Sequence, residues 1–240
     1  MRPLALLLAL CTACSTPPRE PWSVQYWGSM REVLREGRTE GRVELARALG
    51  PHSMAVGASA GLGAEITVDR GAVHLVEVVD AAASDGVRER APRPGERAAL
   101  LVCADVPAWS EQSLPPVADL DALEALVRAA ACARGLDAAA PFPFRVEGRA
   151  ARLEVHVLDR SCPIASPEGP PPWRFVGEDL DVALVGFHAD DSAGVLTHHA
   201  RASHTHAVLV GRGLSGHLDE VALEAGARLF LPASESGGRL

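Results

Sequence analysis

Apolar residues at the start of the folded part recur at helical spacing. Ser29 and Glu32 form a capping-box pattern, and the apolar residues that follow are three and four positions apart, which predicts a short helix ending at Gly37. A second helix is predicted to begin near Thr39 and to end at the Gly50-Pro51 stop. Two helices are therefore expected in residues 29–50.

Beyond these helices, the spacing of apolar residues changes to two. Residues 65–79 alternate about an Asp69-Arg70-Gly71 turn, which predicts a β-hairpin. The continuous apolar run 99–106 predicts a buried strand, and the pattern over 121–135 predicts a helix. Residues 144–157 are expected to form two strands around Glu147-Gly148-Arg149.

The last third of the chain, residues 175–231, is a series of short strand patterns separated by turns that contain Gly and Pro. The sequence therefore predicts an α/β (α+β) fold. Its N-terminal part would be a mixed β-sheet with a few helices, and its C-terminal part a mainly antiparallel β-sheet that carries a histidine-rich segment. One domain is expected over 22–240, with a boundary at 169–172 between sub-domains 22–168 and 173–240.

The first residues have the composition of an export signal. Residues 1–13 combine Arg2 with an apolar stretch that is too short to span a bilayer, which predicts a signal peptide. A small residue directly precedes Cys14, as at bacterial lipoprotein cleavage sites, so Cys14 is the predicted lipidation site; an ordinary secretory signal is the alternative. Residues 14–21 then form a Pro-rich tether. The protein is expected in the periplasm or on the cell surface, held to the membrane by an N-terminal lipid anchor.

Charge and composition restrict the expected partners. The net charge of −8 and the small number of aromatic residues, four Trp, one Tyr and five Phe, argue against a nucleic-acid partner. A small-molecule substrate is the expected partner, and a homodimer is left open. At most one disulfide can form among Cys103, Cys132 and Cys162, and their spacing does not select the pair.

Histidines are concentrated near the C-terminal end of the chain. His204 and His206 are two positions apart, so a strand would project both imidazoles from one face, and a Gly-rich turn can return His217 on the adjoining strand. Three imidazoles leave a coordination position open, as in catalytic zinc sites, so Zn²⁺ is the predicted cofactor. Surface histidines on a polar strand are the alternative. His198 and His199 are candidates for supporting the ligands, and at most one of them can face the site.

Several segments around these histidines resemble the bacterial acetolactate decarboxylases. His-x-His followed by a third His after ten residues is that family's zinc-binding pattern. Residues 26–49 are similar to its N-terminal helix and glycine pattern, and Leu184-Val185-Gly186-Phe187 and Gly194-Val195 are similar to the segments that lead to its zinc strand. Residues 57–71 resemble its first hairpin, which places the family's catalytic glutamate at Glu65.

The resemblance implies a zinc-dependent carboxy-lyase that converts a 2-hydroxy-3-oxo acid such as 2-acetolactate into acetoin and CO2. Zinc would act as a Lewis acid, and Glu65 would transfer a proton. His156 stands where the family has an active-site Arg, and is the second predicted catalytic residue, as an alternative proton donor or as a partner for the substrate carboxylate. Ala58 replaces a Thr of the family. The family's C-terminal acid has no counterpart, and Glu235 is the nearest acidic residue.

Two other functions stay open at this point. A zinc-binding exported lipoprotein with the same fold but altered or lost catalysis would account for the replaced Arg and the absent C-terminal acid. Hydrolysis by a zinc-bound water, with Glu65 as the base, fits the three histidines chemically but has no resemblance behind it.

Overall fold

The computed structural model describes residues 22–162, 164–198 and 201–233. The strands are β1 (Gln25–Trp27), β2 (Val43–Glu44), β3 (Ser53–Ser59), β4 (Glu65–Asp69), β5 (Ala72–Val78), β6 (Val87–Arg90), β7 (Arg97–Asp105), β8 (Trp109–Ser113), β9 (Phe142–Val157), β10 (Trp173–Gly177), β11 (Leu180–His188), β12 (Ser203–Leu209), β13 (Leu214–Leu223) and β14 (Arg228–Pro232). The helices are α1 (Met30–Leu34), α2 (Leu45–Ala48) and α3 (Leu120–Ala133), and Ala60–Leu62 form a 3₁₀ turn. The predicted export signal, Cys14, His199 and Glu235 lie outside the described residues.

The strands form two seven-stranded sheets. The first has the order β1-β7-β3-β4-β5-β6, with β2 beside β7, and the second has the order β11-β12-β13-β9-β14-β8, with β10 beside β9. Because β11 also pairs with β9, the strands β9, β11, β12 and β13 close a small barrel. Within the described residues, no helix has the length and apolar character needed to cross a membrane.

The predicted two-part fold is confirmed: the protein is mostly β, with few helices, and its C-terminal barrel carries the histidines. The strand pairs of the first sheet are antiparallel, whereas a mixed sheet was expected. Short turns join β3, β4, β5 and β6 in succession, and a short turn can join only antiparallel neighbours. The second sheet takes β8 and β9 from before the predicted boundary at 169–172 and the other strands from after it.

Two predicted elements are corrected by the structure. The second helix is reduced to the single turn α2, because Val43 and Glu44 pair with Ala98 and Arg97 of β7 in an extended conformation. Residues 144–157 belong to one strand, β9, rather than to two strands. No turn forms at Gly148 because β11 pairs along that half of β9, and Gly148 lies against Ala227, where an added Cβ would come within 2.7 Å of the alanine Cβ.

Other predicted elements are confirmed. Ser29 caps α1, and its side chain accepts a hydrogen bond from the Glu32 amide at 3.2 Å. Strands β4 and β5 form the predicted hairpin, with positive φ angles of 49° at Arg70 and 82° at Gly71. Helix α3 begins one residue before the predicted start, because Asp119 caps it. Each of these elements was predicted from residues that are close together in the sequence.

Alternation along β4 determines where the site forms. Ile66 and Val68 pack into a core on the outer face of the first sheet. Glu65, Thr67 and Asp69 project from the opposite face, where each contacts a residue of the second sheet or of the segment that follows β9. A polar row therefore lies between the two sheets.

Candidate metal centre

The barrel brings the three predicted ligands together. His204 and His206 project from the same face of β12, and His206 is the cross-strand partner of His217 on β13. One ring nitrogen from each histidine lies within 4.8 Å of the other two. His204 and His206 are buried, and His217 is partly exposed to the adjoining cavity. This three-histidine cluster can hold a metal ion.

Unpaired ring nitrogens support this conclusion. His204 Nδ1 and His206 Nε2 are buried and have no hydrogen-bond partner among the described residues. A buried polar atom without a partner costs about 1–3 kcal/mol, and native proteins avoid the cost by supplying a partner. A metal ion on the three imidazoles would satisfy both nitrogens, so the residues present fit such an ion.

Burial keeps the cluster in the form that binds metals. Desolvation lowers the pKa of His204 and His217 well below the ordinary range, and it lowers the pKa of His206 to about 3. Neighbouring histidines, including His156 and His198, lower these pKa values further by charge repulsion. Neutral imidazole is the ligand form, so the site is prepared for a cation at neutral pH.

The first sheet orients one of the ligands. Thr67 Oγ1 on β4 shares a hydrogen bond of 2.9 Å with His206 Nδ1, and both side chains are buried. This contact leaves His206 Nε2 as the nitrogen that faces the cluster. Hydrogen bonds of this kind fix the ring orientation and tautomer of metal-binding histidines.

Glu65 lies beside the cluster, two residues before Thr67. Its Oε2 is 3.7 Å from His206 Nε2, and its Oε1 accepts a hydrogen bond of 3.3 Å from the Leu158 amide. Burial raises the pKa of Glu65 to about 7, although His156 and the Leu158 amide act in the opposite direction. The structure thus places Glu65 where it can give or take a proton next to a bound ion.

His156 extends the cluster across the sheet. Cross-strand pairing aligns Arg174 on β10, His156 on β9, His217 on β13 and His206 on β12 in one row. The rings of His156 and His217 are 4.8 Å apart between centroids. The structure therefore brings both predicted catalytic residues, Glu65 and His156, to the three histidines.

Asp219 and Arg174 hold His156 in place. A register shift between Leu218 and Glu220 leaves Asp219 as the extra residue of a β-bulge. His156 Nδ1 donates to the two oxygens of Asp219 at 2.8 and 2.9 Å, and Arg174 Nη1 donates to Asp219 Oδ2 at 2.6 Å. The imidazole is fixed by a carboxylate that is itself paired with an arginine.

A cavity of about 180 Å³ opens onto the cluster. Its apolar wall includes Met30, Val33, Leu34, Leu62, Leu100, Leu158 and Ile164. Its polar lining consists of Glu65, His156, Arg174, His198, His204 and His217. Ala58, which replaces a Thr of the resembled family, also lines the cavity and is the cross-strand partner of Glu65. A small molecule can reach the cluster from this side.

A second, more polar opening of about 280 Å³ reaches the same row of side chains. Its walls include Arg201, Ser203, Thr205 and Asp219, and it shares His156, His198 and His217 with the first cavity. His198 lies with its ring centroid 6.2 Å from that of His204 and 4.8 Å from that of His217, so it adjoins two of the candidate ligands.

Sequence reasoning missed three residues of this site. Thr67 could have been found, because it lies two positions from Glu65 on a strand and shares its face. Asp219 lies two positions after His217 on β13, but alternation did not indicate its contact with His156, and Arg174 had no such signal. Their positions depend on a β-bulge and on the pairing of β9 with β10, and residue spacing determines neither.

Known proteins resemble the chain in structure rather than in sequence. No protein-family model matches the sequence, and none of the curated proteins matches it. The solved alpha-acetolactate decarboxylase of Bacillus subtilis strain 168 superposes with a TM-score of 0.68 at 16% identity, covering 88% of this chain and 85% of that chain.

Two further solved structures give similar values. Acetolactate decarboxylase from Bacillus subtilis subspecies spizizenii has a TM-score of 0.64 at 15% identity, covering 88% of this chain and 86% of that chain. A Staphylococcus aureus protein of unknown function, described as similar to alpha-acetolactate decarboxylase, has a TM-score of 0.64 at 13% identity, covering 88% and 85%. The chain therefore has the fold of the acetolactate decarboxylase structures.

Proposed function

We propose that the protein is a zinc-dependent carboxy-lyase that converts a 2-hydroxy-3-oxo acid such as 2-acetolactate into acetoin and CO2. One observation carries this proposal. Three imidazoles, two of which have an unpaired buried nitrogen, meet the buried carboxyl of Glu65 at a cavity, in a fold shared with solved acetolactate decarboxylases. Zinc is the proposed ion because three neutral imidazoles with an open position are a common catalytic zinc set.

The residues of the cluster have distinct roles in the proposal. His204, His206 and His217 hold the ion, which when bound supplies Lewis-acid stabilisation of negative charge on substrate oxygens. His156 donates through Nδ1 to Asp219, which leaves its Nε2 for a substrate oxygen. The apolar side chains of the cavity lower the polarity beside the reacting carbon and so strengthen the electrostatic interactions there.

Glu65 supplies the proton that the reaction requires. When the bond to the carboxylate breaks, CO2 leaves and an electron pair stays on the adjacent carbon. That carbon takes the proton of the Glu65 carboxyl, and solvent then reprotonates Glu65, so one proton is consumed for each CO2 released. Burial raises the pKa of Glu65 to about 7, and a cation on the histidines would lower it again, so the two influences oppose each other.

A combined metal and product measurement tests the proposal. We expect the purified protein to contain one zinc ion per chain by elemental analysis and to form acetoin from 2-acetolactate. His217→Ala is the control, and both signals should be lost because the variant keeps only two imidazole ligands. Zinc-loaded protein that forms no acetoin would contradict the decarboxylase proposal, and absence of bound metal in the unmodified protein would contradict the metal site.

A second candidate function is a zinc-binding protein with the same fold and altered or lost catalysis. The observation that favours it is the pairing of His156 with Asp219 at a position where the resembled family has an arginine. Stoichiometric zinc without acetoin formation is the result that this alternative predicts. A zinc-retaining His156→Ala variant with unchanged acetoin formation would show that this position is not used.

We also propose that the protein acts outside the cytoplasm, anchored through a lipid on Cys14. The support is the signal-like composition of residues 1–13 and the small residue before Cys14. Metabolic labelling with a palmitate analogue tests this proposal. Label is expected on the unmodified chain and not on Cys14→Ala, and equal labelling of the two would exclude Cys14 as the lipid site.

A further inference from the structure

We propose that the preferred substrate carries an alkyl chain of several carbons in place of one of the methyl groups of 2-acetolactate. This inference rests on the proposed function, because it takes the reacting part of the molecule to be a 2-hydroxy-3-oxo acid. The apolar lining of the cavity indicates which substituent the rest of the substrate would carry.

Seven apolar side chains line the cavity of about 180 Å³ beside the metal cluster. Met30, Val33 and Leu34 present one helical stripe of α1 to it. Leu62, Leu100, Leu158 and Ile164 continue the apolar wall around the same space. An apolar ligand group gains about 25 cal/mol for each Å² that it removes from water, so this wall favours a larger alkyl group.

The polar groups of the cavity are grouped together rather than dispersed along the wall. Glu65 is 3.7 Å from His206, His156 lies beside His217, and Arg174 pairs with Asp219 next to His156. A ligand that satisfies both regions has a compact oxygen-rich head, held by the metal cluster and these side chains, and an apolar extension. A branched 2-hydroxy-3-oxo acid with a longer alkyl chain has this distribution.

Backbone hydrogen bonds hold two parts of the apolar wall, around Met30 and around Leu62. The amides of Met30 and Arg31 donate to the carbonyls of Val195 and Gly194 at 3.0 and 2.9 Å, which ties the start of α1 to the segment that precedes β12. The Arg160 amide donates to the Leu62 carbonyl at 3.0 Å, and both residues have positive φ, 54° and 53°. Such conformations cost about 1–3 kcal/mol each outside glycine and persist only where the surroundings hold them. A fixed wall loses little freedom when a ligand binds, which favours selection by shape.

A graded substrate series tests the inference. The zinc-loaded protein is given 2-acetolactate and analogues in which either methyl group is replaced by ethyl, propyl or butyl, and kcat/KM is measured for CO2 release. We expect kcat/KM to rise about fourfold with each added methylene in one of the two series, until the cavity is filled. A flat or falling profile in both series, with 2-acetolactate itself decarboxylated, would overturn this inference and leave the proposed function intact.

Binding provides a readout that does not need turnover. Calorimetry with unreactive 2-hydroxy-2-methyl acids of increasing chain length should show tighter binding and a more negative heat-capacity change as the chain grows. If neither 2-acetolactate nor any analogue releases CO2, the proposed function fails. Chain-length-dependent binding would in that case still establish the apolar subsite.

A pair of variants locates the effect. Leu34→Phe narrows the cavity at a half-buried position of α1, and we expect it to reduce kcat/KM for the butyl analogue about tenfold or more while 2-acetolactate is little affected. Val79→Phe adds a ring at an exposed position outside the cavity and is the matched control. Equal loss on both substrates, or the same response in both variants, would contradict the assignment of the alkyl chain to this wall.

Discussion

At the scale of single residues, Glu65 carries the clearest prediction. Glu65→Gln keeps the size of the side chain but removes the group that exchanges a proton. We expect acetoin formation to fall at least about 100-fold, the usual range for loss of a general acid, while zinc content stays at the level of the unmodified protein. Steady-state kinetics and elemental analysis check this result. Glu111→Gln, on β8 and away from the cluster, should change neither quantity, and a similarly active Glu65→Gln would remove Glu65 from the mechanism.

Thr67 carries a second prediction at this scale, about metal affinity. Thr67→Val deletes the hydroxyl that bonds His206 Nδ1, and the imidazole then loses its fixed orientation. We expect zinc affinity to fall about 10–100-fold, measured by competition with a chelator. Thr67→Ser retains a hydroxyl and should bind zinc nearly as well as the unmodified protein. Equal affinities for the Val and Ser variants would show that the hydrogen bond does not support the metal.

At the scale of elements, local signals were read correctly and non-local ones were not. The capping box at Ser29, the turn at Asp69-Arg70-Gly71 and the helix over Leu120–Ala133 each depend on neighbours in sequence, and each is observed. The second predicted helix was replaced by β2 and one helical turn because β7 offers Val43 a strand partner. Local periodicity does not predict pairing with a strand that is distant in the sequence.

The residues of the candidate site also divide into those that local patterns predicted and those that they did not. His204, His206 and Glu65 were found from alternation or resemblance, because strand geometry carries their side chains to one place. The contact between Asp219 and His156 could not be predicted, because an inserted residue in β13 changes the register only after β9 has paired with it. The single strand β9 was missed because Gly148 was interpreted as part of a turn. A glycine is needed at position 148 because the strand packs closely against Ala227, and not because the chain turns there.

The ion pair between β4 and β9 gives a prediction about stability. Buried Arg145 donates to Asp69 through Nε at 2.6 Å and through Nη2 at 2.8 Å, and it also contacts Glu147. Asp69→Asn leaves the guanidinium short of a negative partner, so we expect the free energy of unfolding in urea to fall by about 3 kcal/mol. Asp181→Asn, in an exposed pair with Arg149, should change it by less than about 0.5 kcal/mol.

A double substitution separates charge from packing at the same contact. Combining Asp69→Asn with Arg145→Met removes both charges, and we expect it to recover part of the stability that Asp69→Asn loses. A double variant less stable than the sum of the two single changes would show that the contact stabilises the two sheets through packing instead.

At the scale of the whole molecule, metal and pH should act together on stability. The three histidines of the cluster have lowered pKa values, so below their ordinary value near 6.5 the unfolded chain binds protons that the folded chain does not. The lowered pKa values cost no stability above about pH 6.5. Below that pH, the free energy of unfolding decreases as pH falls. Glu65 acts in the opposite direction, because its pKa is raised from 4.5 to about 7, and its burial costs stability as pH rises through that interval.

Three histidines outweigh one carboxyl, so we expect the melting temperature of metal-free protein to decrease as pH is lowered from 7.5 to 5.5. Added zinc should raise the melting temperature at pH 7.5, with about 4 kcal/mol gained when free zinc is 1,000 times its dissociation constant, and should lose this effect at low pH. Differential scanning fluorimetry with and without chelator measures both trends. His217→Ala should show no stabilisation by zinc at pH 7.5, and a zinc response in that variant would place the ion elsewhere.

The polar row on β4 bears on how such a site can change over evolutionary time. Thr67 and His206 satisfy each other between the two sheets, so a drifting chain that loses one is left with a buried, unpaired atom, and selection for folding alone preserves both. Glu65 is different, since its buried carboxyl lowers stability at neutral pH and selection for folding alone would favour its replacement. Among descendants of this chain, Thr67 and His206 would therefore outlast catalysis, and Glu65 would disappear earlier once the reaction was no longer needed.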